Sequence, residues 1–305
     1  MRVSEVRRAD CRVRVGWEEM TFGSLFAGIG GIDLGLERAG LECAWQIERD
    51  KQCRKVLERW WPNVDRFDDV RNCEPSYADV LAGGDPCPSH SKARSIWGSK
   101  HPDLSGYFLA LVGRLRPRWV VRENVPSPSS RIFAAALDAL GYGTMVVAMD
   151  GADITDQSRQ REFVVGGFGI ARSMLKGIFL QRQNDSWAHA EDAKARPVAA
   201  CLTTHPCRYD TRDNYVWEPA GFRILDADER EALAGFPRGW TAGFPKSTRA
   251  RFYGNCCIPR MTEWIGTRIM EAHAGQRVGQ GAAGSGTIHG GNVSAEMLVR
   301  RSVSD

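Results

Sequence analysis

The chain has 305 residues, 43% hydrophobic and 26% charged, with a net charge of +4. That is enough apolar material for a sizeable core in one large or two modest domains, and it excludes wholesale disorder. No apolar run approaches the roughly 18 residues of a membrane span, and residues 1–10 are charged rather than signal-like, so a cytoplasmic protein is expected.

In chain order, residues 1–20 read as a loose lead-in. Residues 21–26 read as a buried strand, followed by a glycine turn, a helix over 32–39 and a strand over 43–47. A helix over 51–61 stops at Pro62. Short strands are expected at 68–70 and 80–82, the latter ending in Gly83-Gly84-Asp85-Pro86-Cys87. A helix over 107–116 precedes a strand at 119–121, a helix over 131–140 and a strand at 144–148. Strand alternating with helix predicts an α/β fold, a Rossmann-like, mostly parallel sheet with helices on both faces. From 167 to 217 the periodicity fades. A helix returns near 226–234 and another within 252–270. Beyond 274 the chain is rich in Gly and Ser and reads as a mobile tail.

Charge is unevenly placed. Between Gln157 and Arg212, nine Lys or Arg stand against five acids, which is the whole excess of the chain. A basic stretch permits a nucleic-acid partner and equally fits a solvated face. The nine cysteines are odd in number and scattered, which argues against a disulfide framework. Cys201, His205 and Cys207 lie close in sequence, but a tetrahedral zinc site takes four ligands, so no metal is expected.

Phe26-Ala27-Gly28-Ile29-Gly30-Gly31 sits between a strand and a helix, where bare backbone approaches a ligand closely. Alone it suits a dinucleotide or S-adenosylmethionine alike. Glu48, about 20 residues on at the next strand end, is placed to accept both hydroxyls of a ribose. Asp69 is placed to accept from an adenine amino group. Cys87, between Pro86 and Pro88, sits on a stiff loop that aims its sulfur; a thiol of ordinary pKa about 8.5 needs help to attack. Glu123 at a strand end is either a solvated charge or a proton donor to a pyrimidine ring. In Gln157-Ser158-Arg159-Gln160-Arg161, alternation puts the two arginines on one face, where an ion-pair network is the competing reading.

The order Phe-x-Gly-x-Gly-Gly, acidic strand end, Asp69-Val70, Pro86-Cys87, Glu123-Asn124-Val125, Gln157-x-Arg159-x-Arg161 and Gly254-Asn255-x-x-x-Pro259 resembles the DNA (cytosine-5) methyltransferases over residues 21–272. The resemblance implies S-adenosylmethionine as cofactor and double-stranded DNA as partner. It implies Cys87 as nucleophile on ring carbon 6, Glu123 as proton donor to ring nitrogen 3, Arg161 beside the cytosine oxygen and Arg159 ordering the site. Phe26, Ala27, Gly28, Ile29, Gly30, Gly31, Glu48, Arg49, Asp69, Val70, Pro86, Asn255 and Cys257 fall at its cofactor wall. The base must be flipped out of the duplex to be reached. The implied organisation is a catalytic domain over 21–167 completed by 219–274, a target-recognition region at 168–218 and a tail at 275–305, working as a monomer.

Four departures stand out. Pro88 replaces the usual Gln after the nucleophile. Asp85 replaces an apolar residue or Pro and reads either as a surface or turn-stabilising carboxylate or as one facing the transferable group or the flipped base. His90 replaces an apolar or aromatic residue, and Cys201-Leu202 stands where Thr-Leu is usual. The recognition region is short. It implies a short or relaxed target, or contacts supplied by an accessory or restriction partner. Three other readings compete: tRNA methylation on the same fold, a non-catalytic DNA-binding relative, and a nicotinamide oxidoreductase. The last leaves Pro86-Cys87 and Glu123 unexplained.

Overall fold

The computed structural model describes residues 19–86, 103–180, 198–204 and 214–283, with side chains to residue 274. Cys87, Pro88, His90, His205 and Cys207 lie outside the described residues, as do residues 1–18 and 284–305.

The α/β sheet is present. Its strands are β1 (Thr21–Leu25), β2 (Glu42–Ile47), β3 (Asp65–Phe67), β4 (Val80–Gly83), β5 (Trp119–Asn124), β6 (Tyr142–Asp150) and β7 (Gln160–Phe168). The spatial order is β3-β2-β1-β4-β5-β7-β6. The first five are mutually parallel, and β7 runs antiparallel between β5 and β6. All four residues of β4 are buried, the pattern of a strand covered on both faces.

Side-chain alternation separates two cores. Val80, Ala82, Trp119 and Val121 face one side, with Leu81 and Val120 facing the other. Helices α1 (Gly31–Arg38), α2 (Lys51–Trp60), α5 (Arg172–Leu180) and α8 (Pro259–Ala283) contribute to the first core. Helices α3 (Ser105–Leu115) and α4 (Pro128–Ala139) contribute Phe108, Leu111, Phe133 and Leu137 to the second. A short α6 (Ala227–Leu233) is capped by Asp226, with Glu229 closing a capping box. Helix α7 (Lys246–Asn255) follows it, and a separate hairpin joins β8 (Tyr215–Glu218) to β9 (Gly221–Ile224).

Several elements depart from the sequence expectation. The third strand is residues 65–67 rather than 68–70. Its ladder pairs Trp45 with Asp65 and Ile47 with Phe67, and Glu48 N–H donates to the Phe67 carbonyl as β2 ends. Asp69 then opens a turn by accepting the Arg71 N–H, a role Asp fills better than strand residues do. Helix α5 lies in the stretch where periodicity fades, and only Leu175 and Phe179 are buried along it. Helix α7 is not expected from the sequence, where Lys246, Arg249 and Arg251 match its apolar Ala250, Phe252 and Tyr253 in number. It is tied down by charge, Arg251 to Asp50 at 2.5 Å and Arg249 to Asp228 at 2.6 Å. Helix α8 continues past residue 274 to Ala283, so the Gly/Ser-rich tail begins helical, extended from the buried Met261–Met270 stretch.

Beneath the glycine turn, Asp33 is completely buried. Its carboxylate accepts from Ser24 Oγ at 2.9 Å and Gln46 Nε2 at 2.8 Å, and Arg66 holds the Gln46 carbonyl. Burial pushes its pKa up to about 6, against the opposing pull of those hydrogen bonds. A carboxyl with a raised folded pKa contributes most stability below its unfolded value, and that contribution is lost as pH rises through about 6. The shift of roughly two units corresponds to about 2–3 kcal/mol. Asp33→Asn should therefore unfold at higher urea than the wild type at pH 7.5, with the gap closing towards pH 4. A gap that stays constant between those pH values would show that ionisation of Asp33 is not its source.

Candidate functional site

The carboxyl ends of β1, β2, β4 and β5 lie along one edge of the sheet, where open α/β sheets bind ligands. Two groups of candidate residues gather there.

The first surrounds the glycine turn. Phe26 has φ 55° and Gly28 φ 57°, so both are left-handed. A phenylalanine there is strained by roughly 1–2 kcal/mol and is held by its neighbours. Ala27 N–H donates to the Ile47 carbonyl at 3.1 Å. Gly28 N–H donates to Glu48 Oε2 at 2.7 Å, and Asp50 N–H to Glu48 Oε1 at 2.7 Å. Burial pushes the Glu48 pKa up despite these bonds. Among the described residues a Cβ at Gly28 would meet nothing closer than 4.0 Å, so its backbone is open towards that side. At Gly31 a Cβ would lie 2.2 Å from the Cys257 carbonyl, so α1 packs directly on the segment after α7. Cys257 thus touches the turn through its backbone, and its buried thiol bonds the Ile258 carbonyl.

A tryptophan cluster, not foreseen from sequence, supports this turn from the protein side. Trp240 Nε1 donates to the Ile29 carbonyl at 2.8 Å. Trp60 stacks on Trp240 with centroids 4.1 Å apart, and Trp61 meets it edge-on at 5.6 Å. A Cβ at Gly30 would lie 2.5 Å from the Trp61 ring. The available signal was Pro237-x-x-Trp240 after a capped helix, which does not by itself indicate a partner so distant in sequence.

The second group lies at the ends of β4, β5 and β7. Glu123 and Arg161 form an ion pair at 2.6 Å, with 13% and 12% of their side chains exposed. Partial exposure leaves the pair reachable from solvent. A Cβ at Gly84 would lie 2.8 Å from Glu123 Oε2, so the chain leading to Pro86 passes directly against this carboxylate. Arg159 does not share this pair. It is buried and donates to the Gly254 carbonyl at 2.9 Å and to Cys201 Sγ at 3.2 Å. It thereby ties β7 to the residue-201 segment and to the end of α7.

Other candidates sit apart from these groups. The Asp69 carboxylate is engaged by Arg71 Nε at 2.8 Å, which lowers its pKa to about 2. Val70 is buried, while Arg49 and Asn255 are exposed. Asp85 is neither a surface or turn residue nor one facing a transferable group or flipped base: its side chain is 0% exposed, with both carboxylate oxygens on Arg122. Among the described residues no cluster of three or more His, Cys, Asp or Glu could hold a metal ion. No helix among them is long and apolar enough to cross a membrane.

The chain has a Rossmann-like α/β fold, with the candidate residues gathered along one edge of its sheet. Residues 20–168 match the family model of C-5 cytosine-specific DNA methylases. The Type II methyltransferase M.Bsp6I of Bacillus sp. is 32% identical over 160 residues, 47% of this chain and 50% of that protein. M2.BsuMI of Bacillus subtilis is 25% identical over 301 residues, 81% of this chain and 75% of that one. The match thus spans about half the length of M.Bsp6I and of M.FnuDI, at 50% and 45%. The S. pombe Dnmt2 methyltransferase shares the fold with TM-score 0.61 at 14% identity, covering 84% of this chain and 99% of that one. A putative DNA modification methyltransferase from an E. coli prophage does so with TM-score 0.61 at 17% identity, covering 84% and 100%.

Proposed function

We propose that the chain is a DNA (cytosine-5-)-methyltransferase acting on a flipped-out cytosine in duplex DNA. The observation that carries this reading is the Glu123–Arg161 pair beside Gly84, three residues before Cys87. Guanidinium and carboxyl side by side suit the oxygen 2 and nitrogen 3 edge of cytosine.

The turn fits an adenosyl ligand. Gly28 presents bare backbone with room beside it among the described residues, and Glu48 holds a partly buried carboxylate next to it. Phe26, Glu48, Gly28 and the Cys257 backbone would hold S-adenosylmethionine, which when bound supplies an electrophilic methyl group. Asp69 would have to share its Arg71 partner to reach that ligand.

Cytosine carbon 5 is a poor nucleophile. In the proposed route the Cys87 thiolate adds to carbon 6, forming an S–C bond while Glu123 delivers a proton to nitrogen 3. Carbon 5 becomes enamine-like and takes the methyl group as its bond to the sulfonium sulfur breaks, the neutral thioether S-adenosylhomocysteine being the leaving group. Its proton then leaves to a base, the C6–S bond breaks, nitrogen 3 returns its proton to Glu123 and Cys87 departs as thiolate. Arg161 holds the cytosine oxygen, and Arg159 acts at a distance by fixing β7. Flipping costs a few kcal/mol, offset by phosphate and groove contacts. We assign those contacts mainly to residues 168–218, between catalytic parts 21–167 and 219–274. The Type II naming of the relatives supports a restriction-modification setting in the cytoplasm of a bacterial or phage-infected cell, with the chain working as a monomer.

A duplex carrying 5-fluorocytosine at the target tests this. Fluorine cannot leave as a cation, so elimination is blocked. A denaturation-resistant adduct should form with wild type and S-adenosylmethionine, and not with Cys87→Ala. Bisulfite sequencing of DNA from expressing cells identifies the target. Transfer to tRNA but not to duplex DNA would overturn the substrate assignment.

A further inference from the structure

Asp85 and Arg122 make a fully buried ion pair two residues before Cys87 and one before Glu123. Their side chains are 0% and 1% exposed. Both carboxylate oxygens are used: Arg122 Nε donates to Oδ1, and Nη2 donates to Oδ2 at 2.8 Å. The guanidinium is itself anchored. It lies 4.8 Å over the Phe133 ring, and its Nη groups approach Ser129 Oγ at 3.4–3.5 Å on α4.

The pair faces away from the reactive edge. Successive residues of β5 point to opposite faces, so Glu123 meets Arg161 while Arg122 meets the α4 side. The Asp85 carbonyl adds a third tie, accepting from Asn124 Nδ2 at 3.1 Å. Thus Arg122 and Asn124 hold Asp85 from either side of Glu123, with Gly84 pressed on the Glu123 carboxylate.

Stability alone is a poor reason for such a pair. Desolvating two charges costs several kcal/mol each, and replacing a buried pair by apolar residues is often neutral or stabilising. What a two-point guanidinium–carboxylate fork gives that an apolar contact does not is a fixed orientation.

We propose that the Asp85–Arg122 pair is a positioning device that fixes the Asp85-Pro86 stem of the cysteine loop against the Glu123 strand. Asp85 and Arg122 are positioning residues, since neither faces the reactive edge. The inference rests on the methyltransferase reading and adds to it the feature that orients the nucleophile's loop.

The test separates orientation from stability. Asp85→Asn, Arg122→Met and the double variant Asp85→Leu/Arg122→Met are compared with wild type by urea unfolding, by calorimetry with S-adenosylmethionine, and by single-turnover adduct formation on the 5-fluorocytosine duplex. The single Arg122→Met variant, with a carboxylate left buried and unpaired, should be strongly destabilised, and the double variant should recover most of the unfolding midpoint. Cofactor Kd should stay within about threefold in the folded variants. Adduct formation should still fall at least thirtyfold in the double variant and in Asp85→Asn. A folded double variant reacting within threefold of wild type overturns the inference and leaves the pair purely structural. If the double variant does not fold, Asp85→Asn decides alone by the same criterion. A wild type that forms no adduct overturns the methyltransferase reading, and the inference with it.

Discussion

Cys87→Ser should lower methyl transfer by about four orders of magnitude or more while leaving S-adenosylmethionine binding within about threefold. A serine hydroxyl has a far higher pKa than a thiol, and no base is placed for it by the proposed route. The cofactor wall is built separately. The Gly28–Glu48 bond, the Trp240–Ile29 bond and the Gly31–Cys257 contact each close without residues 84–86. Loss of the sulfur should therefore leave the turn unchanged. Tritiated methyl transfer gives the rate and calorimetry gives the affinity. A parallel loss of both would make Cys87 structural and place the nucleophile elsewhere.

The sheet was legible in the sequence because its strands are short apolar runs bounded by glycine, proline or acid. Val80-Leu81-Ala82 and Trp119-Val120-Val121 are buried on both faces, as a central strand between covering helices is. Glu48, Glu123 and Arg161 stood out because charge at the end of an apolar strand is unusual. Less legible were features made by distant pairs. Trp240 meets Ile29 across 211 positions, and Arg251 meets Asp50 across 201. Helix α7 buries only Ala250, Phe252 and Tyr253 and is held by ion pairs as well as by that short core face, too few apolar positions for periodicity to show.

Asp85 shows the same limit from the other side. An Asp before Pro in a glycine-rich stretch has the composition of a turn. Its burial follows only from Arg122, which in sequence is an arginine inside an apolar strand. Each residue is anomalous alone, and together they satisfy one another. Reading the two anomalies as a pair would have required knowing that β4 and β5 are neighbours with Gly83 opposite Arg122.

The Glu123→Gln variant should lose about 10²–10⁴-fold in turnover, the usual worth of a positioned proton donor. The amide has the size of the carboxyl, and its oxygen can still accept from Arg161, so the 2.6 Å pair becomes a neutral-acceptor hydrogen bond. Gly84 keeps its contact with the same side chain, so the stem leading to Pro86 is not displaced. What disappears is the ability to give nitrogen 3 a proton. A glutamine can donate an N–H bond there but cannot transfer its hydrogen, so negative charge stays on the ring as Cys87 adds and carbon 5 remains weakly nucleophilic. Cofactor affinity should stay within about threefold, because Glu123 makes no bond to the glycine turn among the described residues. Flipping of the target base, followed by 2-aminopurine fluorescence, should also persist, because Arg161 and the amide can still bond to the cytosine edge. Release of tritium from carbon 5 should fall with the turnover, since that step needs the same adduct. Turnover within tenfold of wild type, with flipping intact, would mean that the proton reaches nitrogen 3 by another route and that Glu123 serves only to hold Arg161.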